Sequence, residues 1–151
     1  MTREFPYAHA PRLPEGDVID LAQLFTPALP LRPEESLELE IGPGRGWFIF
    51  ERLEAAPAVR MLGLEIRRKW ATIVDDRLRT RGFASRARVF AEDARLALPR
   101  FPDASLSVVY VHFPDPWWKK RHQKRLVLGA GLLDQLARVL IPEGKLLIQT
   151  D

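Results

Sequence analysis

The chain has 151 residues, enough for one domain with a sizeable core. Its apolar and charged fractions, 46% and 28%, match an ordinary globular protein and argue against a disordered or fibrous chain. The absence of cysteine rules out disulfides and Cys-ligated zinc or iron–sulfur centres. No apolar run is long enough for a membrane span and no apolar h-region follows Met1, so a cytoplasmic protein is expected. Net charge is only +3, but the cations are unevenly placed: Lys119 to Arg125 holds five of them plus His122. That concentration suits a polyanionic partner more than the mean charge does.

Residues 1–35 are rich in proline and short on periodicity. They read as a weakly ordered arm with one helical turn around Val18 to Phe25. Residues 36–151 alternate strand and helix patterns. Leu37–Ile41 is a short strand that runs into Gly42-Pro43-Gly44-Arg45-Gly46. Trp47 to Ala55 is a helix closed by Pro57, and Arg60–Ile66 is a second strand. Arg67 to Arg81 is a long amphipathic helix with Trp70, Ile73, Val74 and Leu78 on its apolar face and Gly82 at its end. Ala87–Ala91 is a third strand leading to Glu92-Asp93 and a short helical segment through Leu98. Leu106–Phe113 is apolar enough for a strand buried on both faces. After the basic run, Leu126 to Leu140 is a helix with Leu132, Leu133, Leu136, Val139 and Leu140 inward, stopped by Pro142-Glu143-Gly144. Lys145–Gln149 is a fifth strand. This order predicts an α/β fold, doubly wound around a mainly parallel sheet. Ligands in such sheets bind beyond the carboxyl ends of the strands, where Glu40, Glu65, Asp93, Asp115 and Asp151 fall.

The glycines between the first strand and helix let the backbone turn tightly and approach a ligand. Glu65 ends the next strand, close to the roughly 20-residue spacing expected of an acid that binds a ribose hydroxyl pair. An adenosine-containing cofactor is therefore expected. A dinucleotide fingerprint reads G-x-G-x-x-G, whereas Gly42, Gly44 and Gly46 read G-x-G-x-G with Glu40 just ahead. A carboxylate there would repel a pyrophosphate and suit a cationic amino acid group. The acids favour S-adenosylmethionine over NAD.

Phe113-Pro114-Asp115-Pro116-Trp117-Trp118-Lys119-Lys120-Arg121-His122 compresses an acid, two indoles and a basic run into one stretch. The prolines restrict the backbone on both sides of Asp115. The indoles offer surfaces for a base, and the cations offer phosphate contacts that would make binding salt-dependent. Taken singly, these features also suit a turn acid, core indoles and a solvated loop. Their coincidence at the mouth of a cofactor site points to a nucleic-acid base held for chemistry.

The glycine loop with Glu40, together with the Phe113–His122 string, strongly resembles the bacterial tRNA (guanine-N7-)-methyltransferase family, from about Leu37 to Asp151. The resemblance implies a Rossmann-like class I methyltransferase domain over 36–151, with about five of the usual seven strands present. It implies S-adenosylmethionine as donor and guanine N7 in the variable region of tRNA as acceptor. It places the cofactor acids on Glu40, Glu65 and Asp93, beside Gly42, Gly44 and Gly46. The active-site acid falls on Asp115, which also lies against the cofactor. Substrate binding falls on Lys119 and Asp151, and Lys120 and Arg121 extend the same basic run. No metal ligand set is expected. Members of the family continue beyond the position of Asp151, so the chain is expected to be a monomer or to self-associate through the open Leu146-Leu147-Ile148 edge. Two rival readings stand beside this one: a non-catalytic RNA- or cofactor-binding remnant, and an NAD-dependent oxidoreductase.

Overall fold

A computed structural model describes residues 6–112 and 130–149. Five strands form one sheet: β1 (Ser36–Ile41), β2 (Val59–Leu64), β3 (Ala87–Phe90), β4 (Leu106–His112) and β5 (Leu140–Gln149). Their order is β3-β2-β1-β4-β5, and every neighbouring pair is parallel. The helices are α1 (Trp47–Ala55), α2 (Arg68–Thr80), α3 (Ala94–Ala97) and α4 (Ala130–Val139). The chain starts in the middle of the sheet, winds outward to β3, then crosses back to β4. The switch point lies between β1 and β4, whose carboxyl ends frame the crevice where such folds take ligands.

Residue alternation along each strand divides the core in two. On one face Leu37, Leu39, Ile41, Leu62, Leu64, Val109 and Val111 pack with α3, α4 and the N-terminal stretch. On the other, Val59, Met61, Val89 and Tyr110 meet Ile49 and Leu53 of α1 and Ala71, Val74 and Leu78 of α2. Each fully buried aliphatic side chain contributes about 1.5–3 kcal/mol of transfer free energy, so both faces are needed. The same alternation turns Glu38 and Glu40 of β1 away from the first core and toward α1, and both are buried.

The elements follow the predicted order, with three departures. Residues 10–25 are packed rather than weakly ordered. Ala10, Leu13, Ile19, Leu21, Leu24 and Phe25 are buried. The Ala91 amide donates to the Pro11 carbonyl, and the Leu13 amide to Glu92. A short 3-10 turn at Leu21–Leu24, capped by Asp20, stands where one helical turn was expected. Second, β5 begins at Leu140, not Lys145. Leu106 pairs with Leu140 and Val108 with Lys145, so residues 141–144 bulge out of the ladder. An outer strand can carry Pro142 in such a bulge because the missing N–H breaks no ladder bond. Third, Leu133 of α4 is exposed while Leu132, Leu136 and Val139 are buried, and α2 turns Ala71 and Asp75 inward alongside Val74 and Leu78. Asp75 is tolerated there because Arg88 binds both of its oxygens and the Val89 amide donates to it at 2.9 Å. No described helix is long and apolar enough to cross a membrane.

Candidate active site at the sheet switch point

The turn after β1 is made of glycines because its backbone requires them. Gly42, Gly44 and Gly46 have φ of +74°, +56° and +83°, a region costly for residues with a Cβ. At Gly46 space adds a second constraint, since a Cβ would lie 2.8 Å from Val74 of α2. Gly63 of β2 has a related role that the sequence pattern did not signal. A Cβ there would press on Val89, Pro43 and Ile49 at 3.0–3.2 Å, so its absence lets the loop settle onto the sheet. Over Gly42, by contrast, a Cβ would meet nothing within 4 Å. Among the described residues, the loop is thus uncovered at Gly42.

Glu65 follows β2 directly and is buried. Its Oε1 accepts from the Gly44 amide at 2.9 Å, and its Oε2 accepts from the Arg67 amide at 2.8 Å. The Arg67 guanidinium reaches both oxygens at 3.3 Å from an exposed position. Glu65 therefore ties the glycine loop to the end of β2. Asp93 caps α3: Oδ1 accepts from the Arg95 amide, and the Arg95 guanidinium spans both oxygens. That guanidinium holds the Asp93 carboxyl below its ordinary range, with partial burial opposing it.

Glu40 is different. Its Oε2 accepts a 2.8 Å bond from His112 Nδ1, while Oε1 is buried with no hydrogen-bond partner among the described residues. Burial pushes its carboxyl up to about 6; the His112 hydrogen bond and charge oppose this, and the charge of Glu65 adds to it. An orphaned carboxylate oxygen in a protein interior is costly and marks a place where a donor is missing. One strand step earlier, Glu38 is satisfied completely. Arg52 of α1 grips it through two bonds of 2.8–2.9 Å, and the Tyr110 hydroxyl donates to it at 2.8 Å. Burial raises the Tyr110 phenol to about 12, so it stays a donor. Phe48 of α1 packs against the rings of both Tyr110 and His112.

The structure thus brings Glu40, Gly42, Gly44, Gly46 and Glu65 together at the ends of β1 and β2, and places Asp93 just beyond β3. Asp115, Lys119, Lys120, Arg121 and Asp151 lie outside the described residues. Sequence reasoning missed Glu38, Gly63, Tyr110 and His112. The pattern Leu37-Glu38-Leu39-Glu40-Ile41 carried a signal for the first: two acids at strand period put two carboxylates on one face of a central strand. Such a pair demands partners from the neighbouring strand, which are Tyr110 and His112.

The residues fit a nucleoside that carries a cationic group. The loop backbone is open to approach at Gly42, Glu65 lies at the spacing of a ribose acid, and Glu40 has a need for a donor that no described residue meets. A pyrophosphate at the loop would instead meet the Glu40 carboxylate.

Comparison with known proteins bears on the fold and the family. Residues 34–151 match the model of a family described as putative methyltransferase. A tRNA (guanine-N(7)-)-methyltransferase of Paramagnetospirillum magneticum is 36% identical over 149 residues, covering 90% of this chain and 62% of the relative. One of Myxococcus xanthus is 40% identical over 116 residues, covering 76% and 56%. The chain therefore spans somewhat more than half the length of these curated relatives. Solved structures share the fold at low identity. The YcgJ protein of Bacillus subtilis superposes with a TM-score of 0.58 at 21% identity, covering 76% of this chain and 44% of that one. A geranyl diphosphate C-methyltransferase of Streptomyces coelicolor gives 0.62 at 13%, covering 85% and 43%. With more than half of its residues matched by the family model, the chain belongs to this methyltransferase family.

Proposed function

We propose that the protein transfers a methyl group from S-adenosylmethionine to N7 of a guanine in tRNA, in the cytoplasm. The observation that carries this reading is the Glu40 carboxylate beside the glycine turn, buried with one oxygen unpartnered among the described residues. That site calls for a cation, and the methionine end of the donor has an ammonium group. Glu65 would take the ribose hydroxyls once the Arg67 guanidinium swings off its two 3.3 Å contacts, and Asp93 would face the adenine amino group. The relatives named as tRNA (guanine-N(7)-)-methyltransferases support the acceptor.

When bound, S-adenosylmethionine supplies a methyl group on a sulfonium, ready for in-line displacement. Guanine N7 offers a lone pair and no proton. The N–C bond forms as the C–S bond breaks, positive charge passes to the guanine ring, and no general base is required. Catalysis then rests on alignment, which supplies several kcal/mol of about 7–11 available to well-oriented reactants. Asp115, which stands between Pro114 and Pro116 in the sequence three residues after β4, is the group proposed to hold the base edge and offset the ring charge. Lys119, Lys120 and Arg121 would hold phosphate or sugar, and Asp151 would contribute to the same substrate site.

The test is transfer of labelled methyl to unmodified tRNA, with the product nucleoside identified. Label recovered as 7-methylguanosine, and lost in Asp115→Ala at equal donor affinity, is the expected result. Salt-sensitive tRNA binding without transfer would instead favour a non-catalytic RNA-binding role. Unchanged turnover in Asp115→Ala would remove that residue from the reaction.

A further inference from the structure

The Glu40 carboxylate sits at the end of an ordered row of side chains on the α1-facing side of β1 and β4. Arg52 fixes Glu38, Glu38 fixes the Tyr110 hydroxyl, and the Tyr110 ring stacks on His112 with centroids 5.6 Å apart at 24°. Phe48 meets the His112 ring edge-on at 4.4 Å and 62°. The imidazole is therefore held by two aromatic neighbours and by its own 2.8 Å bond to Glu40 Oε2. Its Nδ1 donates, because an ionised carboxylate can only accept.

His112 gives Glu40 its one hydrogen bond among the described residues. Among the described residues, the other charged groups near Glu40 are engaged elsewhere or add like charge. Glu38 on the same strand is neutralised by Arg52, and Tyr110 on β4 is committed to Glu38. Beyond β2, Glu65 adds like charge, and Arg67 is engaged with Glu65. The imidazole also opposes the upward push of burial on the Glu40 carboxyl, so its loss would favour the neutral acid, which has little attraction for an ammonium. A buried carboxylate with one donor and one bare oxygen is poor for stability, so its value lies in what binds there.

We infer that His112 is the positioning residue of an ammonium subsite, holding Glu40 by one oxygen so that the other is left for the amino-acid end of the methyl donor. This rests on the S-adenosylmethionine reading above and adds to it a residue outside the glycine loop and the Phe113–His122 string's acid and cations. It also makes donor recognition depend on β4, the strand that leads directly to Asp115.

The test compares two ligands on the 151-residue chain by isothermal titration calorimetry. S-adenosylhomocysteine carries the ammonium; 5′-methylthioadenosine has the same nucleoside and lacks the amino-acid group. In His112→Ala, affinity for S-adenosylhomocysteine at neutral pH should fall by about tenfold or more, the usual worth of a hydrogen bond to a charged group. Affinity for 5′-methylthioadenosine should stay within about twofold of wild type, which also certifies the fold. His112→Asn, which keeps an N–H donor, should recover most of the loss. Raising the pH should restore binding to His112→Ala as Glu40 ionises, so its binding midpoint lies above that of wild type. Equal affinity of wild type and His112→Ala for S-adenosylhomocysteine overturns the assignment. So does a parallel loss of both ligands with no rescue by Asn, which marks a merely structural residue. Wild-type chain that binds neither ligand overturns the S-adenosylmethionine reading itself, and the role of His112 with it.

Discussion

Two carboxylates one strand step apart meet opposite fates, and the difference separates structure from function. Glu38 and Glu40 are equally buried on the same face of β1. Glu38 has a bidentate arginine and a phenol; Glu40 has one imidazole nitrogen and a bare oxygen. The consequence for stability has a definite sign. The folded chain raises Glu40 from 4.5 to about 6, so the native state holds this proton more tightly than the unfolded state does. Ionising Glu40 therefore costs stability: nothing below the unfolded value, and the full amount above about pH 6. The cost is about 2 kcal/mol from the size of the shift. Glu40→Gln keeps an oxygen for the His112 bond and removes the charge. It should raise unfolding free energy in urea by about 1–2 kcal/mol at pH 8, with the gain vanishing near pH 4.5. The same variant should lose S-adenosylhomocysteine affinity. Glu38→Gln should move the other way, losing about 1–3 kcal/mol at pH 8, because it breaks an arginine fork and replaces it with nothing equivalent. If Glu40→Gln were destabilising at pH 8, the carboxylate would be a structural group rather than a binding group.

Among the elements, the turn between β1 and α1 shows how backbone conformation and packing can be told apart. Gly42 and Gly46 both have positive φ, but a Cβ meets open space at Gly42 and Val74 at 2.8 Å at Gly46. Gly42→Ala should cost only the left-handed penalty, about 1–2 kcal/mol. Gly46→Ala adds overpacking of about 1–3 kcal/mol against α2. Pairing Gly46→Ala with Val74→Ala should leave less destabilisation than the two single losses summed, as expected of neighbours that clash. Full additivity in urea unfolding would show that Val74 is not the obstacle. This turn was legible in the sequence, because G-P-G-R-G between an apolar run and a helix has few other uses, and Glu65 followed from its spacing. The partners of β1 were not. An apolar strand such as Leu106–Phe113 reads as core filling, and its Tyr110 and His112 acquire meaning only when β4 is known to lie beside Glu38 and Glu40. The β5 start was misread because Pro142-Glu143-Gly144 is good stop chemistry for a helix and equally good bulge chemistry for an outer strand. Inside α2, Asp75 was hidden because its arginine partner comes from β3.

At the scale of the whole molecule, the N-terminal stretch is part of the fold although the family match begins only at residue 34. A proline-rich segment without periodicity gives no strand or helix signal, so its burial could not be seen locally. It is held by side chains spread along the rest of the chain. Arg60 donates to the carbonyls of Leu29 and Pro30 and pairs with Glu35. Arg88 donates to the Leu24 carbonyl while gripping Asp75. Glu92 takes the Leu13 amide and the Arg12 guanidinium. Beneath these polar ties Leu13, Ile19, Leu21, Leu24 and Phe25 share one core with β1, α3 and α4. Each such side chain is worth about 1.5–3 kcal/mol, so the stretch contributes an amount comparable to the net stability of a domain, about 5–15 kcal/mol. A chain beginning at residue 34 should therefore fail to fold cooperatively, with exposed apolar surface that binds a hydrophobic dye. The milder variant Leu24→Ala/Phe25→Ala should still fold, but with its urea midpoint lowered and the slope unchanged, a loss of about 4 kcal/mol or more. Tryptophan fluorescence and far-UV circular dichroism should report one coincident transition for the intact chain, because the stretch and the sheet unfold together. A chain starting at residue 34 that unfolds at the wild-type midpoint would show that residues 1–33 are a separate cover, not a layer of the domain.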